Sequence, residues 1–142
     1  MSRLYHQAIL DAASARTGEG ALHAPHGRAS VDNPLCGDRV RVDVSVSGGR
    51  IEHVAHRVRG CLLCEAAASV IGAQAPGESV EELIALRQAL RAFLSDDSLG
   101  PPRRWPALEM FAPVAQHRSR HDCVMLPFDA LVKALEECER NR

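Results

Sequence analysis

Residues 39–58 read RVRVDVSVSGGRIEHVAHRV. Val40, Val42, Val44 and Val46 alternate with Arg39, Arg41, Asp43, Ser45 and Ser47, the period of two that marks a strand with one face buried and one solvated. Gly48-Gly49 can take the positive backbone angles of a tight turn, and Ile51 to Val58 supplies a returning strand with Val54 and Val58 on one face. The stretch therefore predicts an antiparallel hairpin. His53 and His56 fall on opposite faces of the second strand, so they cannot serve one site, and each reads as an exposed or internally satisfied histidine.

On either side of the hairpin the period changes. Residues 3–13 place Leu4, Ile9, Leu10 and Ala13 at helical spacing until Gly18 and Gly20 interrupt it. The segment GEGALHAPHGRAS, residues 18–30, reads as loop; Pro25 keeps His23 and His26 out of regular helix, and a metal role for that pair is the alternative to a solvated loop. After Gly60, CLLCEAAASVIGA is rich in helix formers and free of proline until Pro76. Ser79-Val-Glu-Glu82 has the form of a capping box, opening a helix to about Leu94 whose stripe of Val80, Leu83, Ile84, Leu90 and Leu94 should face the core. The three prolines in residues 96–106 predict a loop, followed by a short helix over 107–115. A last helix is expected from near Cys123 to about Cys138, with Pro127 placed in its first turn, where amides have no helical partner.

A chain of 142 residues with 46% apolar side chains fits one domain, residues 1–142, with a real core. Seventeen basic residues against 18 acidic ones leave a formal charge of −1, which offers no electrostatic footprint for nucleic acid or an anionic membrane. The start MSRLYHQAIL is not a secretion signal, and no stretch approaches the ~20 apolar residues of a membrane span. The expectation is a soluble, cytoplasmic protein.

Five cysteines, an odd number without a secretion signal, point away from a disulfide framework and toward metal binding or thiol chemistry. Cys36 precedes a strand, Cys61 opens a helix and Cys123 stands near another helix start. At a helix N-terminus the unpaired amides and the positive end of the macrodipole favour thiolate, the form that is both nucleophile and metal ligand. Asp38 disfavours a thiolate on Cys36 unless a cation stands between them, and a metal would resolve that conflict. Three thiolates and one carboxylate suit tetrahedral zinc, and the sulfur ligands equally suit iron-sulfur clusters. Spacing alone leaves simple apolar packing open for each cysteine.

The motifs NPLCGDRVRV (33–42), RGCLLCEAAAS (59–69) and RHDCVMLPFDAL (120–131), with LYHQAILD near the start, resemble the U-type iron-sulfur cluster assembly scaffolds: the NifU N-terminal domain, IscU and SufU. The resemblance covers most of the chain. It implies an α+β fold, a small three-stranded antiparallel sheet covered on one face by four to six helices. It further implies that Cys36, Cys61 and Cys123 are the functional cysteines, that Asp38 is their acidic partner, and that Gly37 lets the backbone turn between the first two ligands.

Within the family, the 61 residues between Cys61 and Cys123 resemble the SufU-like branch with its helical insert. IscU-like members place a histidine directly before the last cysteine and a Leu-Pro-Pro-Val segment ahead of it; this chain has Asp122 there, His121 one step earlier, and QHRSRHDC. The SufU-like branch implies zinc held by Cys36, Asp38, Cys61 and Cys123, with Cys36 accepting persulfide sulfur from a cysteine desulfurase; an iron-sulfur cluster (2Fe-2S) or iron is the alternative cargo. Downstream iron-sulfur apoproteins or carriers would be the clients. Such a protein works with a desulfurase rather than as a free-standing enzyme. Arg120 matches an arginine of that branch and is the candidate stabiliser of the sulfur anion, although a solvated arginine in HRSRH fits as well; that run could also dock an acidic face of the desulfurase.

Several positions depart from the family. Cys64 stands where a small residue is usual; sharing a helix face with Cys61, it is an alternative ligand or a resolving thiol, or else a small residue packed beneath the site. Cys138 reads as incidental. DAASARTGEG (11–20) lacks the family's usual histidine and PRN stretch, and Asp122 replaces a lysine, marks of a diverged paralogue. Two other function classes stay open: a structural zinc-binding interaction module, and a CxxC thiol redox protein using Cys61 and Cys64.

Overall fold

The computed structural model of the chain describes residues 3–35 and 37–141. The alternating run forms β2 (Asp38–Ser47), which pairs antiparallel with β3 (Arg50–Arg59) in a register that sets Val40 opposite Val58 and Val44 opposite Val54. Gly48 and Gly49 both take positive φ, 61° and 77°, the pattern of a two-residue hairpin turn whose twist matches that of the strands. Val40, Val42 and Val44 are fully buried, each such side chain contributing about 1.5–3 kcal/mol relative to exposure.

The stretch read as loop over residues 18–30 instead ends in a strand, β1 (Gly27–Asn33), paired antiparallel with the free edge of β2. Only Ala29 and Val31 carry its apolar alternation, too little for a local signal; β1 exists because β2 offers an edge and a helix covers its inner side. That helix is α4 (His121–Arg140), which lies across β1 and β2. At Gly27 the two backbones meet so closely that an added Cβ would sit 2.0 Å from the Ala134 carbonyl oxygen.

The sheet order is β1-β2-β3, and the helices occupy one face, an α+β arrangement as expected. α1 (Arg3–Ala15) packs on α2 (Leu62–Gln74), and α2 on α4. Nearly every residue of α2 from Leu63 to Ile71 is buried, consistent with a helix enclosed on all sides. α3 (Val80–Ser95) begins where expected, with Ser79 Oγ accepting from the Glu82 amide at 3.2 Å. The Glu82 carboxylate, however, pairs with Arg104 rather than reaching back to close the capping box. The buried stripe of α3 is Leu83, Leu86, Leu90, Phe93 and Leu94; Ile84 lies one residue, about 100°, off that stripe and is 39% exposed.

One further expectation is refined and one is corrected. The short helix at 107–115 is a 3-10 helix, Pro106–Gln116, whose buried Leu108, Phe111 and Val114 recur every third residue, matching its three-residue turn. α4 starts at His121, so Pro127 is its seventh residue and not in the first turn. Its ring has no proton to give the Cys123 carbonyl, a defect costing about 3 kcal/mol in an open helix. Here residues 123–128 are all buried, and packing outweighs it. Trp105 stacks at a tilt on Phe128, ring centroids 6.0 Å apart, and seals α4 beneath the 3-10 segment. Among the described residues no helix is long and apolar enough to cross a membrane.

Candidate metal centre

One end of the sheet brings three elements together. Asp38 opens β2, Cys61 is the N-cap of α2 just after β3, and Cys123 is the third residue of α4. Their donor atoms, one carboxylate oxygen and two Sγ, lie within 4.8 Å of one another. Tetrahedral zinc with bonds of about 2.0–2.3 Å has ligand–ligand edges of roughly 3.6–3.8 Å, so closure needs a contraction of only about 1 Å.

Local chemistry explains each placement. Asn33 ends β1 and its side-chain oxygen accepts from the Leu35 amide at 3.2 Å, an Asx turn, while its carbonyl accepts from Gly37 N at 2.8 Å. Gly37 takes φ 74°, as the expected tight turn requires. Gly60 leaves room for the acid: a Cβ there would lie 2.9 Å from Asp38 Oδ1. Asp38 is 5% exposed, and its Oδ2 is buried with no hydrogen-bond partner among the described residues. A carboxylate oxygen desolvated without a donor is costly unless a cation meets it, and two thiols within reach make the donor set fit zinc or iron. Cys61 and Cys123 both sit at helix N-termini, the positive end of each macrodipole.

Cys36 lies outside the described residues. Arg120 precedes α4 and lines, with Cys61, His6, His117, Leu63 and Val114, a cavity of about 340 Å³ beside the centre. Cys64 is fully buried one turn inside Cys61, and burial, then the charges of Asp38, Cys61, Cys123 and Glu65, push its thiol up, away from thiolate. It is not one of the three converging donors. Cys138 is 15 residues along α4 from Cys123, roughly 22 Å away, packed against Gly27. His26 accepts from the Val46 amide through Nδ1, His56 Nε2 lies 2.7 Å from the Thr17 carbonyl, and His53 is exposed, so the hairpin histidines stand apart from the centre. His121 meets the Ala115 carbonyl at 3.2 Å, and Asp122 is exposed in the first turn of α4. Gly60 and Asn33 are the two positioning residues whose roles the sequence left unread; a glycine ending a strand immediately before a cysteine was the available signal.

The model for the NifU-like N terminal domain matches residues 4–141. The chain belongs to the NifU-like N-terminal domain family. Relatives include the zinc-dependent sulfurtransferase SufU of Bacillus subtilis, 23% identical over 98% of this chain and 94% of that protein. Another is the iron-sulfur cluster assembly scaffold protein IscU of Streptococcus pyogenes, 25% identical over 96% of this chain and 85% of that one. The crystal structure of a nitrogen-fixing NifU-like protein (N-terminal) from Brucella abortus superimposes with a TM-score of 0.90 at 29% identity, covering 97% of this chain and 96% of that one. The NifU-like fold thus extends over essentially the whole described chain, in which α3 and the 3-10 segment lie between Cys61 and Cys123.

Proposed function

We propose that this protein acts in iron-sulfur cluster assembly as a zinc-dependent sulfur acceptor, with Cys36, Asp38, Cys61 and Cys123 as the ligand set. The convergence of Asp38, Cys61 and Cys123 donor atoms within 4.8 Å is the observation that carries the proposal. Relatives named as a zinc-dependent sulfurtransferase and as cluster assembly scaffolds support it. So does the spacing of 61 residues between Cys61 and Cys123, which resembles that of the SufU-like branch.

Bound zinc would hold Cys36 as thiolate at neutral pH. Asp38, Cys61 and Cys123 would be the residues that retain the metal while Cys36 is free to react. The freed thiolate attacks the terminal sulfur of a cysteine desulfurase persulfide; a new S–S bond forms on Cys36 while the donor's own S–S bond breaks, and the donor cysteine departs as thiolate. No net oxidation occurs. Arg120, on the wall of the cavity that Cys61 shares, is placed in this reading to stabilise the sulfur anion. Iron-sulfur apoproteins or their carriers would then receive the sulfur.

A desulfurase assay tests the proposal: sulfide release is faster with this protein present, and a Cys36→Ala variant gives no acceleration. Equal acceleration by that variant would sink the role. A metal count on protein purified without air distinguishes the two members of the class: about one zinc per chain for the sulfur acceptor, and an iron-sulfide chromophore for a scaffold on which the cluster is cargo. A structural zinc module would hold zinc and accelerate nothing, and a Cys61–Cys64 redox protein would hold no metal.

A further inference from the structure

The solvent face of the sheet carries an arrangement that fold stability does not explain. In the β2–β3 register Arg41 stands directly opposite Arg57, and Arg39 directly opposite Arg59. All four side chains rise from the same face, since 39 and 41, and 57 and 59, are two residues apart. Like charges directly opposite on neighbouring strands destabilise a sheet. Asp32 holds Arg39 at 2.7 Å, and the buried Asp43 binds Arg28 at 2.8 Å with Arg41 farther off at 3.6 Å. Among the described residues neither Arg57 nor Arg59 has a carboxylate within 4.0 Å. Five arginines thus face two aspartates here, in a chain whose overall charge is −1. The four clustered arginines line one depression of about 380 Å³, whose rim also bears Glu19.

This array is continuous with the metal centre. Arg39 follows Asp38, Arg59 precedes Gly60 and Cys61, and Arg39 and Arg59 share with Asp38 a second depression at the strand ends. A partner reaching the centre would cover both. The array is built from guanidinium groups, whose planar forks match carboxylates in pairs. Two rungs about 5 Å apart across the strands and about 7 Å along them form a patch the size of two or three acidic side chains, too small to track the phosphates of a nucleic-acid duplex.

We propose that Arg39, Arg41, Arg57 and Arg59 form a docking surface for an acidic segment of the protein that engages the metal centre. That this partner is the sulfur donor rests on the function proposed above; recognition of an acidic segment does not.

The test is fluorescence anisotropy of a labelled hexaglutamate peptide titrated with the full chain. An Arg57→Glu/Arg59→Glu variant is expected to lose about tenfold or more in affinity, as reversal of two exposed charge sites implies, while Arg57→Lys/Arg59→Lys retains more of it. The reversed charges face Arg41 and Arg39 across the strands, so the thermal midpoint of the first variant should equal or exceed that of the wild-type chain, and its zinc content should be unchanged. The proposal is overturned by unaltered peptide affinity in that variant, by no binding of the peptide to the wild-type chain, or by a short DNA duplex binding more tightly than the peptide. With a desulfurase, the reversal variant should require more protein for half-maximal acceleration at the same plateau. No acceleration by the wild-type chain would refute the sulfur-acceptor role alone and leave the peptide result standing.

Discussion

Gly60 and Asp38 occupy each other's space: the hydrogen at Gly60 stands where a Cβ would come within 2.9 Å of both Cγ and Oδ1 of Asp38. The glycine is what lets the carboxylate turn toward Cys61 and Cys123 instead of outward to water. Gly60→Ala should therefore push Asp38 off the centre. Zinc affinity is expected to fall about 10–100-fold, the usual effect of disturbing a residue that orients a ligand. Competition against a chelator dye measures it, and unchanged affinity would show that Asp38 is not held by this contact.

Among the described residues Asp38 Oδ2 is buried with no hydrogen-bond partner, so without metal this carboxylate is a destabilising group. Asp38→Asn should make the metal-free chain more stable, by about 1–3 kcal/mol, and should shrink the stabilisation that zinc adds. Denaturant unfolding with and without chelator gives both numbers. A variant less stable than wild type in chelator would mean the carboxylate has a protein partner after all.

Cys64 is fully buried and its thiol is pushed up by burial and by the neighbouring acid and cysteines. Cys64→Ala is expected to keep zinc and sulfur acceptance and to cost about 1 kcal/mol for the small void. Cys61→Ala and Cys123→Ala should each lose the metal. Loss of zinc in Cys64→Ala would make it a ligand, and loss of a reversible disulfide would make it the resolving thiol of a CxxC pair.

His56 supplies a pH dependence separate from the centre. Burial, opposed by the Thr17 carbonyl and by Glu19 and Glu65, holds its imidazole below the usual value of 6.5; Arg16 also borders it. In the window between that depressed value and 6.5 the unfolded chain binds more protons than the folded one, so stability rises with pH there. The contribution is complete above about 6.5 and is lost as pH falls toward the folded value, by at most about 1.4 kcal/mol per unit. Urea midpoints at about pH 7.5 and 5.5 should drop less for His56→Gln than for wild type. Equal drops would place the titration elsewhere.

At Gly27 the Ala134 carbonyl oxygen would stand 2.0 Å from an added Cβ, and Cys138 Sγ 2.7 Å. Gly27→Ala must lift α4 from β1, costing about 1–3 kcal/mol or more. That contact is roughly 16 Å along α4 from Cys123, so zinc stoichiometry should hold while the thermal midpoint falls. A midpoint equal to wild type would show that the α4–β1 seam has slack.

Local pattern was enough wherever a segment's own residues carried the full signal. The valines at 40, 42 and 44 alternate because one strand face is buried, Gly48-Gly49 turns because glycine alone tolerates two successive positive φ values cheaply, and Ser79 caps α3 because its hydroxyl reaches an amide three residues on. The motifs around Cys61 and Cys123 likewise pointed to a metal centre before any contact between them was known. Pairing and packing decided the rest. β1 depends on an edge that β2 supplies, Pro127 stays helical because its neighbours are buried, and Ile84 loses its place in the core to Leu86 and Phe93 by the rotation of α3. The meeting of Asp38, Cys61 and Cys123, and the facing of Arg41 with Arg57, join residues far apart in the chain. Sequence patterns report local backbone preference and burial, whereas which distant residues share a site is set by strand register and helix packing, free energies that belong to the assembled fold.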